Sequence, residues 1–467
     1  MRPLIVALVL ALFQMGIWEA SCPAWSQSTE KTVTIYDPNP THLWNRLHSV
    51  LFIRTDIRST NRVPDALDPP LWHSSSYLLA KPSHERVLRI LDEFLQNHGE
   101  KLIRDPAKRA MLQRDLWAVF DWSVEREPER PQEADFEKEK QELQWRLSEL
   151  MRRVALSPEE IRALPSNYEQ AVASEQFGKE YDSQHPERPF LPPRLFDPHG
   201  DWVQIVGLSS GPLEPQPLAP SHAEAFSRST FLILMRIPGG RRATFDYLAT
   251  LWDLPEPWVA QADDPQHQQT KINPVLPQFP AGTEVALVRQ MILFDNRGRL
   301  EATPITESLQ FRVYRAIAVK DRVNAANASG MAEAVANSGQ NFYQIVLSRT
   351  QLFANKSGGL RATEPNEKEF AMFGSFGADQ NGNPSQYMSL DQYQPVLQTC
   401  FVCHRAAGIN SVNSRSALLK PNWLQHDEPG AYSPENPWWQ YEEPVWKLHR
   451  YEWGLLNGYW KAGNTSR

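Results

Sequence analysis

Cysteine is the residue this chain has least of, with three in 467 positions, at Cys22, Cys400 and Cys403. So few thiols exclude a scaffold held together by disulfides. Runs of one charge are missing too: acidic and basic residues are interspersed, and the formal net charge is -7. Without a basic tract to neutralise a row of phosphates, nucleic acid is not an expected partner. No internal repeat is found. What the chain has in quantity is proline, 38 residues, and tryptophan, 16 residues, a balance that favours long turns and aromatic packing. Its length suggests more than one structural region.

The N-terminus joins Arg2 to an apolar run, Leu4 to Phe13, that is short for a bilayer span. It reads as a signal peptide of residues 1–26, with Ala24 and Ser26 before the cut and Gln27 opening the mature chain. An uncleaved anchor and lipidation at Cys22 are the alternatives for a membrane tether. Gln14 and Glu19 interrupt the apolar run, and Glu19 stands where a lipoprotein signal takes an aliphatic side chain, so export with cleavage is the preferred reading. The mature chain then keeps only Cys400 and Cys403, and its expected location is the periplasm or another exported compartment.

The pattern along the chain predicts an α+β fold. Residues 27–183 form a helical region. Val87, Leu88, Leu91, Phe94 and Leu95 share one helix face ended near Gly99, Asp105-Pro106 starts the next helix, and Leu143, Leu147, Leu150, Met151 and Val154 mark a third. Ser157 to Glu160 has the spacing of a capping box. A proline-rich linker spans 184–220, with Trp202 to Val206 as a strand candidate. Within it, Gly207-Leu208-Ser209-Ser210-Gly211 matches the nucleophile-elbow pattern of serine hydrolases, but Pro212 denies the helix an elbow requires. Residues 221–365 form a β-rich region, with strands expected over Phe231–Ile237, Glu284–Phe294, Leu309–Tyr314 and Asn341–Leu347, and a turn at Asn296-Arg297-Gly298. Residues 366–467 form a small, mainly helical C-terminal segment, in which Ser389 caps a short helix through Tyr393 and Leu397, and a last helix runs from about Glu442 to Trp460.

That segment carries Cys400-Phe401-Val402-Cys403-His404. Two thiols at this spacing reach the two vinyl groups of one porphyrin, and the adjacent imidazole serves as an iron ligand on one face. A zinc site would need two further ligands, and a thioredoxin-like dithiol would need a βαβ context that is missing here. The stretch Cys400 to Ile409 resembles the haem-attachment motif of c-type cytochromes; the resemblance covers at most the last ~80 residues. It implies one covalently bound haem c, with Cys400 and Cys403 as thioether attachments and His404 as proximal ligand. In that family the second nitrogen of the proximal ring donates to a backbone carbonyl. Haem is also attached outside the cytoplasmic membrane, in keeping with the signal peptide.

The family's small soluble members take a sixth ligand from a methionine downstream of the motif, yet no methionine follows Met388. The candidates for the distal face are therefore His449, on the same helix stripe as Trp446 and Trp453, then His426, then Met388 from upstream. Trp438, Trp439, Trp446, Trp453 and Trp460 are candidate walls for the porphyrin, or simply core. The function expected is one-electron transfer by an exported monohaem cytochrome, exchanging electrons with redox proteins or small donors and acceptors. A five-coordinate haem that binds a small ligand or does catalysis is the alternative. A second alternative is a haem-free interaction protein with a Cys400–Cys403 disulfide. A di-haem peroxidase is disfavoured by the single motif.

Overall fold

A computed structural model describes residues 34–52, 65, 67, 77–79, 81–124, 135–205, 222, 226–252, 254, 258–260, 270–315, 339–364, 367–370, 393–395, 404, 407–413 and 451–465. The fold is α+β, with helices early in the chain and a six-stranded antiparallel sheet in its middle. The expected signal peptide, Cys22, the Gly207–Gly211 elbow, Cys400, Cys403, Met388, His426 and His449 all lie outside the described residues.

The helical region contains α1 (Leu43–Phe52), α2 (Ser83–Gln96), α3 (Pro106–Val124), α4 (Phe136–Val154), α5 (Pro158–Arg162) and α6 (Asn167–Ala173). Val87, Leu91 and Phe94 are fully buried on α2, as the apolar stripe predicts. Two bidentate pairs fix its flanks: Arg46 of α1 grips Glu93 at 2.7 and 2.8 Å, and Arg146 of α4 grips Asp92 at 2.7 and 3.2 Å. Asp105 caps α3 by accepting from the Ala107 and Lys108 amides. The capping box of α5 is complete: Ser157 Oγ accepts from the Glu160 amide at 3.1 Å while Glu160 accepts from the Ser157 amide at 2.7 Å. Where α2 ends, the left-handed residue is His98, at φ 50°. Gly99 is needed for space, since a Cβ there would lie 2.6 Å from the Phe94 ring.

The large sheet is ordered β1-β2-β5-β6-β7-β8. Its strands are β1 (Val203–Ile205), β2 (Ser229–Arg236), β5 (Thr283–Phe294), β6 (Leu300–Tyr314), β7 (Gln340–Leu347) and β8 (Leu360–Ala362). Between β2 and β5 come a helix, α7 (Gly240–Trp252), and a short pair, β3 (Trp258–Ala260) with β4 (Thr270–Ile272). After β7 come α8 (Arg349–Phe353) and, later, β9 (Lys368–Phe370), which pairs with β10 (Tyr393–Pro395). The helix expected through Tyr393 is thus corrected: Tyr393 to Pro395 are extended and hydrogen-bonded to β9. The chain closes with α9 (Asn410–Asn413) and α10 (Tyr451–Thr465).

The two faces of the sheet differ in kind. Leu232, Leu234, Ala286, Val288, Leu309, Phe311, Val313 and Ile345 alternate toward the helices and join one apolar core with α1 to α6 and α10. That core runs unbroken from the helical to the β-rich region. The strand registers put Phe231, Arg289, Arg312, Tyr314, Phe342 and Gln340 together on the opposite face. Its apolar part, around Met235, Val285, Tyr314 and Ile409, is a second cluster closed by α7.

Two helical side chains complete the sheet where, among the described residues, no strand accompanies its edge. Beyond the pair Ser229↔Met291, β2 no longer accompanies β5. There Gln113 of α3 accepts from the Phe294 amide and donates to its carbonyl, both at 2.9 Å. Asn167 of α6 does the same for Thr306 of β6, at 2.7 and 2.9 Å, beside an irregularity in which Arg289 pairs with Ser308 but Gln290 with Thr306. Glu307 is the residue inserted by this bulge. Because an orphaned buried backbone group costs about 1–3 kcal/mol, Asn167→Ala is expected to destabilise the fold by roughly 2–4 kcal/mol. Urea unfolding should show the midpoint fall with an unchanged slope; an unaltered midpoint would mean that solvent satisfies Thr306 instead.

Candidate functional site

His404 follows directly on Cys403, and its surroundings are set by the turn after it. Gly408 adopts φ 54°, and a Cβ there would sit 2.0 Å from the Gln278 side chain. The glycine therefore provides both the left-handed conformation and the close approach. Gln278 uses that proximity to accept from the Ile409 amide at 2.7 Å. The chain then enters α9, where the Ser411 hydroxyl meets the Tyr314 hydroxyl of β6 at 2.8 Å.

This arrangement brings the Ser411 carbonyl to 2.7 Å from His404 Nδ1. A carbonyl can only accept, so Nδ1 carries the proton and the neutral ring presents its lone pair on Nε2. The backbone of His404 is held as well, its carbonyl accepting from Gln340 Nε2 at 2.9 Å, while Gln340 Oε1 accepts from Arg312 Nη1 at 2.8 Å. Burial, then the nearby Arg312 guanidinium and His222, push the His404 pKa down to about 3. The ring is neutral at physiological pH, the state in which imidazole ligates a metal.

A second histidine stands beside it. The ring centre of His222 is 6.1 Å from that of His404, with the planes inclined at 41°. His222 contacts Phe231 edge-on at 5.7 Å, and its carbonyl accepts from the Phe226 amide at 2.8 Å, which turns the chain into β2. Burial first, then Arg312 and Arg289, push its pKa down to about 4. Arg289 lies 4.2 Å from the Phe226 ring centre and pairs with Glu307 at 3.1 Å. The site thus combines two neutral imidazoles, aromatic rings and two guanidinium groups on one face of the sheet.

Comparison with protein-family models, curated proteins and solved structures returned no match. Among the described residues, no group of three or more His, Cys, Asp or Glu side chains could hold a metal ion, and no helix is long and apolar enough to cross a membrane.

Of the site residues singled out in the sequence, His404 is described, and the structure brings it together with His222. Of the two readings open for Trp453 and Trp460, walls for the porphyrin or simply core, the structure shows core packing. Trp453 stacks on Phe294 at 4.4 Å and 4°, Trp460 lies 5.8 Å from the same ring, and both belong to the core on the helical side of the sheet. Sequence reasoning missed His222. The motif directs attention to its own vicinity, whereas His222 arrives from the end of the proline-rich stretch, where no spacing rule marks it.

Proposed function

We propose that this chain is an exported monohaem c-type cytochrome that carries single electrons. Cys400 and Cys403 would attach the porphyrin and His404 would ligate the iron through Nε2. The observation that carries the reading is the His404 Nδ1–Ser411 carbonyl bond. A metal-ligating histidine commonly donates its other ring N–H to such a group, which fixes the tautomer and the ring direction, and here that bond occurs on the one histidine preceded by the Cys-x-x-Cys spacing.

When bound, haem c supplies a reversible one-electron couple whose potential depends on axial ligands, burial and nearby charge. The protein's residues account for each of these influences. Ser411 and Gln340 orient His404 from its ring and from its backbone. Phe231 and Phe342 lie on the same sheet face as Arg289 and Arg312, and Phe226 packs against Phe231. Arg289 and Arg312 place positive charge beside the imidazoles, a field that favours the less positive, reduced iron. The partners would be redox proteins or small electron donors and acceptors, met in the periplasm or an equivalent exported compartment.

The test is haem staining of a denaturing gel, on protein made in a host that matures c-type cytochromes. The wild-type chain is expected to give a band that survives boiling and that disappears in Cys400→Ser/Cys403→Ser. A wild-type chain without a band would refute covalent haem.

A further inference from the structure

We infer that His84 and Glu142 hold a divalent transition-metal ion, with zinc as the probe, between the start of α2 and the facing side of α4. Both residues stand in the helical region, and neither takes part in the cytochrome reading, on which the inference does not depend.

His84 is the second residue of α2 and is only 3 % exposed. Its Nδ1 lies 2.9 Å from the carbonyl of Leu78, in the short helical turn Tyr77–Leu79 that precedes α2. A carbonyl only accepts, so Nδ1 carries the proton and Nε2 presents a lone pair. That Nε2 is shut off from solvent and has no hydrogen-bond partner. A buried acceptor left in this state costs about 1–3 kcal/mol, and a ring fixed through its other nitrogen by a backbone carbonyl is the arrangement common to metal-ligating histidines.

What Nε2 faces is a carboxylate, with Glu142 Oε2 3.9 Å away. A nitrogen lone pair and a carboxylate repel each other unless a proton or a metal ion stands between them. The separation is too long for a hydrogen bond, which needs about 2.7–3.2 Å. Two bonds of about 2.0–2.2 Å to one zinc ion set the nitrogen and oxygen about 3.4 Å apart at a tetrahedral angle, so Glu142 has to close by only about 0.5 Å. Its side chain is 40 % exposed, which permits that movement and gives the ion a way in. No other ion pair or hydrogen bond engages the Glu142 carboxylate among the described residues. Arg146, one turn further along α4, donates to the Glu142 main-chain carbonyl at 3.1 Å and commits its fork to Asp92.

Distance alone does not single this pair out. His48 comes to 4.0 Å from Asp115, but that carboxylate is taken by Arg349 and Tyr36. His98 and His185 approach Glu100 and Glu187 to 3.1 and 3.5 Å, but both histidines are exposed and their partners stand two residues on in the chain. Among the described residues, His84 is the histidine that combines a buried, carbonyl-fixed ring with a carboxylate otherwise unengaged. One imidazole nitrogen and one carboxylate oxygen suit Zn²⁺, Cu²⁺ or Ni²⁺ better than Ca²⁺ or Mg²⁺, which take oxygen donors. With two protein ligands the remaining positions belong to water, so the ion binds reversibly and ties α2 to α4 while it is supplied.

The test is zinc uptake by the intact purified protein, measured by equilibrium dialysis, together with its melting temperature with and without zinc. The wild type is expected to bind one zinc ion more per chain than His84→Ala or Glu142→Gln, and zinc should raise its melting temperature until a chelator is added. Zinc taken up elsewhere, at free cysteines for example, is common to all three proteins and cancels in the difference. Should His84→Ala fail to accumulate, Glu142→Gln carries the comparison, since glutamine keeps the shape of a half-exposed side chain.

Equal uptake by the wild type and Glu142→Gln would overturn the inference, as would a wild type that binds no zinc. Variants that differ from the wild type in stability without zinc, and not in uptake, would show a plain ion pair and overturn it too. Haem staining is unaffected by any of these results, so failure here leaves the cytochrome reading intact, and failure of that reading leaves the zinc comparison valid.

Discussion

Asp115→Asn is expected to destabilise the protein by about 3–5 kcal/mol, the cost of leaving a buried charge without its partner. Asp115 stands on α3 with Arg349 of α8 against it, both fully buried; Arg349 Nη1 donates to Asp115 Oδ2 at 2.6 Å and its Nη2 to Oδ1. Tyr36 donates to Oδ2 at 2.7 Å, and Arg349 Nη2 reaches the Leu67 carbonyl at 3.2 Å. One carboxylate therefore joins the start of the described chain, α3 and the helix after β7. Asparagine keeps the shape and loses the charge, so the guanidinium remains in the core uncompensated. Against a typical stability of 5–15 kcal/mol, thermal unfolding should show a loss of this size. A variant that melts with the wild type would mean that Arg349 finds other compensation.

His48 gives the same cluster a dependence on pH. Its ring lies 4.0 Å from Asp115 Oδ2, neither ring nitrogen has a hydrogen-bond partner among the described residues, and burial pushes its pKa down to about 4. Above the ordinary histidine value neither the folded nor the unfolded state binds a proton at this site. Between that value and about 4, the unfolded chain is protonated and the folded one is not. The contribution of neutral His48 is thus complete above pH 6.5 and is lost as pH falls toward 4. His48→Leu is expected to flatten the dependence of stability on pH across this window, and an unchanged slope would assign the acid sensitivity to other groups.

The second large effect concerns the iron. Arg312→Gln should lower the reduction potential of the proposed haem by about 50–100 mV, corresponding to the removal of a unit charge worth on the order of 1–2 kcal/mol in a partly buried site. The sign follows from charge: the guanidinium acts on both His222 and His404, and it opposes the more positive, oxidised iron. Glutamine retains hydrogen-bonding capacity toward Gln340, so the visible spectrum should stay that of the wild type while redox titration registers the shift. An unchanged or increased potential would show that Arg312 acts mainly by holding Gln340.

How much of this could be read in the sequence depends on the range of the interaction involved. Local signals were legible. Ser157 to Glu160 forms its capping box, Asp105-Pro106 starts α3, and the alternation across 284–294 and 309–314 yields β5 and β6. The turn at Asn296 to Gly298 joins them, with Gly298 at φ 79°.

Signals that end one element and begin another show only half of their effect in the local pattern. Pro238-Gly239-Gly240 closes β2 but also opens α7, because Gly239 and Gly240 have positive φ while Thr244 accepts from the Ile237 amide. Tyr393 becomes extended because β9 is available as a partner, which a local pattern does not reveal. Long-range features left no trace in the spacing. Gln113 and Asn167 act as substitute strands, and Glu307 is reached from Arg114 and Arg289 through a bulge. His222 belongs to this last class. It is an ordinary histidine in the sequence until the fold sets its ring beside that of His404.

The most direct test of the central claim is the intact mass of the denatured, purified chain after production in a host that matures c-type cytochromes. One species is expected, beginning at Gln27 and heavier than the bare polypeptide by a single haem. A species with the mass of the bare polypeptide, or one lighter by the two hydrogens of a Cys400–Cys403 disulfide, would contradict it.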